Sequence, residues 1–240
     1  FEEPENLLKQ EVREPSLYNA IISAIASGAS KLSEISTKVG ENSSTCTAYL
    51  KNLISLGLIH RETPYGEKNS KKTIYTVEDN MFRFWYRFIP DNASLIVRGA
   101  SDLAYQRIRP QLSDYMGKIF EDICTQYLWQ LLLNGKSPVF FKELGRWWGT
   151  DPATHAQTEI DIMGEQDKNT ALFCECKWTN DLVDFGVLEL LVHRSQLFHY
   201  NSTHLFLFSK NGFTSGCTEM AEKLGNVTLV SYSDIYGSCQ

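Results

Sequence analysis

The chain has 240 residues, enough for one or two domains, and its 42% hydrophobic and 12% aromatic content argues against intrinsic disorder as the default state. No apolar run approaches the roughly 18 residues of a membrane span, and the acidic start Phe1-Glu2-Glu3-Pro4 is not a signal peptide. The net charge of −6 is uneven: residues 1–78 hold nine Lys/Arg against ten Asp/Glu, 79–116 five against four, and 117–240 nine against fifteen. An acidic C-terminal half is a poor footprint for gripping a phosphate backbone, but it suits a carboxylate cluster that holds a divalent cation. None of the six cysteines has CxxC spacing, so a reducing cytoplasm is the expected compartment. The missing initiator Met suggests part of a longer protein.

Residues 16–27 read as a helix with Leu17, Ala20, Ile21, Ala24 and Ile25 on one side. A second helix at 31–39 ends at Gly40, as a helix-terminating glycine would. Ser43 or Ser44 can cap a third, whose apolar face is Cys46, Tyr49, Leu50, Leu53 and Ile54. Residues 58–61 and 72–77 then alternate as strands around a polar loop at 65–70. Helix, helix–turn–helix and a two-stranded wing is the winged-helix order. Its DNA-binding reading puts Ser44, Thr45, Thr47, Ala48 and Lys51 at the groove and Lys68, Lys71 and Lys72 on phosphates. Against it, the third helix carries no arginine, the usual reader of guanine edges, and the module could equally dock protein.

Residues 79–89 carry the run Met81-Phe82-Arg83-Phe84-Trp85-Tyr86-Arg87-Phe88, apolar on nearly every side. Stacking on single-stranded bases is one reading of it, and buried packing is the stronger. Residues 116–133 form a strong helix with Glu121 at the edge of its apolar stripe. A short strand is expected at 138–141, followed by a loop holding Arg146-Trp147-Trp148-Gly149. Two strands follow, Thr158–Met163 and Ala171–Trp178, around a polar turn. In the second, Phe173, Glu175 and Lys177 share one face, while Leu172, Cys174, Cys176 and Trp178 share the other. If Asp161 lies on the adjacent strand, two carboxylates and a lysine converge, a way to hold Mg²⁺ with positions left for water and phosphate.

Asp161, then Glu175-Cys176-Lys177 across a hairpin, after a helix bearing Glu121, resembles the PD-(D/E)xK nuclease superfamily. The expected order helix 185–198, strand 203–208, helix 214–224 and strand 226–230 completes that α-β-β-β-α-β core. Gln196 and Tyr200 have the QxxxY spacing of its RecB-like members. The resemblance implies Asp161 and Glu175 as ligands of Mg²⁺ or Mn²⁺, Glu121 as auxiliary ligand, and Lys177 orienting water or stabilising charge on the phosphate, with Gln196 at the site. The superfamily's proline before the aspartate is absent, since Ile160 stands there. More widely, a winged helix, the FRFWYRF segment and Gly145-Arg146-Trp147-Trp148 before Glu159-Ile160-Asp161 look like the C-terminal part of archaeal and bacterial AAA+/STAND-like P-loop ATPases.

That resemblance implies a division into the tail of an ATPase lid at 1–15, a winged-helix domain at 16–78, a connecting helical segment at 79–116, and a nuclease-like α/β domain at 117–240. ATP would enter only through a nucleotide-binding domain outside this chain, which has no G-x-x-x-x-G-K-[S/T] loop. DNA and the chain's own ATPase domain are the expected partners. The expected activity is metal-dependent cleavage of DNA phosphodiesters. The alternative is a non-catalytic DNA- or protein-binding regulatory module. Cys174 and Cys176 read as core residues, and His193 and His199 as helix-surface or packing residues.

Overall fold

A computed structural model describes Pro4, Leu8, residues 15–67 and residues 71–237. Expectations for residues 1–15 and for Lys68 therefore fall almost wholly outside the described residues. The chain divides into two compact units, one of residues 1–63 with 69–110 and one of residues 64–68 with 111–240. The stretch 79–116 expected as a connector is divided between them at Pro110 and Gln111.

In the first unit, α1 (Pro15–Ala26), α2 (Leu32–Val39) and α3 (Ser43–Ser55) precede an antiparallel pair, β1 (Ile59–Glu62) and β2 (Ile74–Val77). The Glu34 carboxylate accepts the N–H groups of Ser30 and Lys31 and so closes the start of α2. Gly40 ends it with φ 79°, a left-handed turn that a side chain would strain. The cap of α3 is Asn42, one residue before the serines expected to cap it, and its side-chain oxygen Oδ1 takes the Thr45 N–H at 2.8 Å. The aromatic run forms α4 (Asn80–Phe88), capped by Asp79. Phe82 and Tyr86 join Ile21, Ile22, Ile35, Leu50 and Leu53 in one core, while Met81 is exposed. Two short helices, α5 (Ala93–Val97) and α6 (Ser101–Ile108), complete the unit.

The second unit is a five-stranded sheet between helices. The long helix α7 (Leu112–Leu133) is followed by β3 (Gly145–Thr150), β4 (Gln157–Glu165), β5 (Thr170–Lys177), α8 (Phe185–Ser195), β6 (Ser202–Ser209), α9 (Ser215–Leu224), β7 (Val227–Ser231) and α10 (Tyr232–Gly237). The strands lie in chain order, β3–β4 and β4–β5 antiparallel, β5–β6 and β6–β7 parallel. Strand alternation separates two cores. Leu172 and Cys174 pack with Phe120, Cys124 and Leu128 of α7, whereas Ala171 and Phe173 pack with Leu188 and Leu191 of α8.

Three expectations need correction. Residues 138–141 form no strand, although Val139 and Phe141 are buried in the α7-side core. Strand pairing falls instead on the stretch expected as a loop, where Trp147 lies opposite Ile160 and Trp148 opposite Glu159. The tryptophans give that edge strand a half-buried surface to pack, and Pro138 removes one backbone donor from the segment before it. Finally, α8 stops at Ser195 and does not reach Phe198. Ser195 Oγ turns back to the Val192 carbonyl at 2.7 Å, and the N–H groups of Leu197 and Phe198 reach back only three residues, to Arg194 and Ser195.

Candidate functional site

The site grows from a fault in the sheet. Between the pairs Gly145–Met163 and Trp147–Ile160, β3 advances two residues and β4 three. The extra residue on β4 falls at Asp161 and Ile162, as in a β-bulge. On the other edge of β4, regular pairing with β5 ends at Ile162–Cys174. Beyond it the two strands fork, and the Cys176 N–H is taken by Asp161 Oδ2 at 2.8 Å instead of a backbone carbonyl. A carboxylate thus occupies a ladder position, held by the main chain of the neighbouring strand.

Glu175 emerges on the α8 side of the same fork and is almost completely buried, with 3% of its surface exposed. Both of its oxygens are committed. Lys177 Nζ lies 2.5 Å from Oε1, and Arg194 Nη1 lies 2.6 Å from Oε2. Burying a carboxylate costs several kcal/mol unless cations and hydrogen bonds compensate, and here two cations do so. Glu121 comes from α7 and is paired with Lys118 at 2.8 Å.

The electrostatics follow from this crowding. Burial, then the negative charges of Glu175 and Glu121, push the Asp161 carboxyl up to about 7, against the opposing pull of the Cys176 N–H and Lys177. Burial pulls the Lys177 ammonium down, but attraction to Glu175 and Asp161 outweighs it, and the net displacement is upward. Burial also holds the thiols of Cys174 and Cys176 well above their ordinary range, in keeping with core residues.

Asp161 therefore lies in the fields of Glu175, Glu121 and Lys177. Gln196 is not joined to them by any hydrogen bond. It follows the end of α8 and lines a separate open cleft of about 530 Å³ with Tyr200, Asn201 and Asn226. Gln196 and Tyr200 do not share a helix, and the Tyr200 hydroxyl donates to Glu165 at 2.7 Å. Of the residues expected at a DNA groove, Ser44, Ala48 and Lys51 share an exposed face of α3. Thr45 and Thr47 are half-buried, and the Thr47 hydroxyl bonds the Ser43 carbonyl at 2.6 Å. Lys71 and Lys72 are exposed before β2.

Two residues escaped sequence reasoning. Arg194 belongs to the fork, yet nothing local marks it out from other helix cations. Asp151 follows β3 and holds His193 of α8 at 2.8 Å, a pair built across 42 residues of chain. That bond, with the N–H groups of Ala153 and Thr154, depresses the Asp151 carboxyl to about 2. His193, expected as a surface or packing residue, is half-exposed and ties α8 to the end of β3.

By donor chemistry Asp161, Glu175 and Glu121 suit a hard divalent cation, since all are carboxylate oxygens. By availability they do not in this arrangement. Glu175 is held by two cations, and among the described residues no group of three or more His, Cys, Asp or Glu side chains is arranged to hold a metal ion.

Fold and fork together define a mixed α/β protein with a buried, charge-compensated carboxylate site. Residues 85–189 match the model of the DUF234 family, described as archaeal and bacterial proteins of unknown function. An uncharacterized protein of Methanocaldococcus jannaschii is 38% identical over 186 residues, covering 77% of this chain. The chain spans 40% of that relative's length. A solved O-methyltransferase from neocarzinostatin biosynthesis, in complex with S-adenosyl-L-homocysteine, overlaps 90% of this chain and 64% of its own at 13% identity. Its TM-score of 0.23 carries no argument about fold or activity. Among the described residues no helix is long and apolar enough to cross a membrane.

Proposed function

We propose that the second unit is a PD-(D/E)xK nuclease-like domain that acts on DNA phosphodiesters. One observation carries the reading: the β4–β5 ladder opens at Asp161, and the opening gathers Asp161, Glu175 and Lys177 beside Glu121. A carboxyl whose proton affinity is raised by burial and by neighbouring carboxylates, as that of Asp161 is, is costly for stability and characteristic of reactive sites. The element order α7, β3, β4, β5, α8, β6 supports the same reading.

In it, Asp161 and Glu175 would hold Mg²⁺ or Mn²⁺, with Glu121 as auxiliary ligand. Such a cation, when bound, supplies Lewis-acid polarisation of the phosphate and a more acidic water. The chain's own residues do the rest. Lys177, about one-third exposed, offers an ammonium at the solvent edge of the fork, where it can orient water or meet charge developing on a phosphate oxygen. The Cys176 N–H fixes one oxygen of Asp161 and thereby aims the other.

The helix–helix–helix–ribbon order of the first unit supports a winged-helix reading, with Ser44, Thr45, Thr47 and Lys51 toward a groove and Lys71 and Lys72 toward phosphates. The resemblance adds an ATPase domain outside these 240 residues, and the sparse cysteines without CxxC spacing favour a reducing, cytoplasmic setting. A regulatory, non-catalytic role is the second reading, favoured by the pairing of both Glu175 oxygens, and of one Glu121 oxygen, with cations.

The test is cleavage of single-stranded, duplex and branched DNA with Mg²⁺ or Mn²⁺, beside Asp161→Ala and Lys177→Met. Metal-dependent cleavage lost in both folded variants supports the nuclease reading. Cleavage that persists in Asp161→Ala overturns the assignment of the site, and no cleavage on any substrate moves the choice to the regulatory reading.

A further inference from the structure

We propose that the open cleft beside Gln196 binds a single amino-bearing nucleobase, with the chemistry of adenine or cytosine. This inference is independent of the nuclease-like reading, because the cleft shares no residue with the fork.

The cleft forms where β6 and β7 begin and α8 and α9 finish, so that Thr203, Asn226, Ser195 and Leu224 border it. Glu175 and Lys177 lie instead toward the end of β5, which runs parallel to β6. The volume of about 530 Å³ falls within the range of about 300–1,000 Å³ usual for small-molecule sites.

Charge, shape and hydrogen-bonding capacity together select the ligand. No Asp, Glu, Lys or Arg lines the cleft. A phosphate or an ammonium placed there would lose hydration without gaining a counter-charge, so the group that fits is neutral. Val192, Leu205 and Leu224 supply apolar walls. Phe198 and Tyr200 also line the cleft, with ring planes 28° apart and centroids separated by 6.4 Å. The Tyr200 hydroxyl is committed to Glu165, so its ring is what it offers, and aromatic rings accept bases by stacking.

The polar rim is rich in acceptors. Asn226 Nδ2 donates to the Thr203 carbonyl at 2.8 Å, and Asn201 Nδ2 donates to Asn169 Oδ1 at 3.1 Å. Both asparagines keep a side-chain oxygen that no described residue occupies. The final carbonyls of a helix also lack intrahelical partners and carry the negative end of its dipole, and two helices finish here. Such a rim matches the exocyclic amino group of adenine or cytosine and opposes the carbonyl oxygen that thymine or uracil carries in its place.

The test uses the full chain in EDTA, which silences metal-dependent chemistry at the fork. Adenosine, cytidine and uridine are titrated calorimetrically into wild type, Leu224→Trp and Asn226→Ala, and circular dichroism verifies that each is folded. Leu224 is exposed, so tryptophan there narrows the cleft without disturbing a core, and this variant keeps the test decisive if Asn226→Ala does not fold. Wild type should bind adenosine and cytidine at least about tenfold tighter than uridine, the size of one unmade hydrogen bond. Leu224→Trp should weaken adenosine at least about tenfold, and Asn226→Ala should bring adenosine and uridine within about threefold of each other.

No binding of any nucleoside at millimolar concentration overturns the proposal. Adenosine affinity unchanged in folded Leu224→Trp puts the binding elsewhere and overturns the site. Uridine bound as tightly as adenosine by wild type refutes the amino-group selectivity. Competition with a short deoxyadenosine oligonucleotide then identifies the source, and both results support the site: displacement of adenosine assigns the cleft to a base of an unpaired strand, and its retention assigns the cleft to a free nucleoside. DNA cleavage with Mg²⁺, measured separately, decides the fork whatever the cleft binds.

Discussion

Replacing Asp161 by asparagine should stabilise the protein at neutral and alkaline pH and leave it nearly unchanged near pH 4. Burial and the charges of Glu175 and Glu121 place the folded-state carboxyl at about 7, against 3.8 for an unperturbed aspartate. The sign follows from linkage. At low pH the group is protonated in folded and unfolded chains alike and contributes no difference. As pH rises above about 4 the unfolded chain loses its proton first, and stability falls until the folded group also ionises near pH 7. At about 1.4 kcal/mol per pH unit the full cost is about 4 kcal/mol, and water at the half-exposed edge of the side chain trims it to about 2–4 kcal/mol. Asparagine keeps an oxygen to accept the Cys176 N–H and carries no charge. Thermal melts of both proteins across about pH 4 to 8 would read the difference, an upward displacement of Tm by roughly 5–15 °C at the alkaline end. A variant that melts at or below wild type at pH 8, or one whose advantage does not depend on pH, would refute the reasoning.

Asp151 should show the opposite dependence. Its folded carboxyl is depressed to about 2 by the bond to His193 and by the N–H groups of Ala153 and Thr154, so its contribution is present above about pH 4 and lost as pH falls toward 2. Asp151→Asn should flatten the acid limb of a stability-versus-pH curve, and an unaltered limb would show that the pair is incidental. Phe173→Ala removes a fully buried ring that touches Phe198 and Tyr200, and should cost about 3–5 kcal/mol, seen as a lower urea midpoint at constant m-value. A loss under about 1 kcal/mol would mean that the α8-side core closes over the gap.

Much of the fork was legible because strand alternation is a local property. Glu175 and Lys177 had to share the face of Phe173, and Cys174 and Cys176 had to share the other, whatever the rest of the chain did. The helices were legible in type for a similar reason, since their apolar stripes and caps lie within a few residues of one another. Their ends were less so: Asn42 rather than a serine caps α3, and a serine-led tightening ends α8 before Gln196. The first strand of the sheet was misplaced because Val139 and Phe141 are as apolar as strand residues, yet they reach the core from a loop.

What alternation could not show is which charge meets which. Arg194 is nineteen residues from Glu175, and Asp151 is forty-two from His193. Those distances along the chain close only when α8 folds back across the sheet. The bulge at Asp161 and the loss of pairing after Cys174 likewise depend on how three strands share one ladder. The residue types of a carboxylate site are written locally, but whether its carboxylates are open to a cation or held by arginine depends on contacts between distant segments, and those exist only in the folded chain.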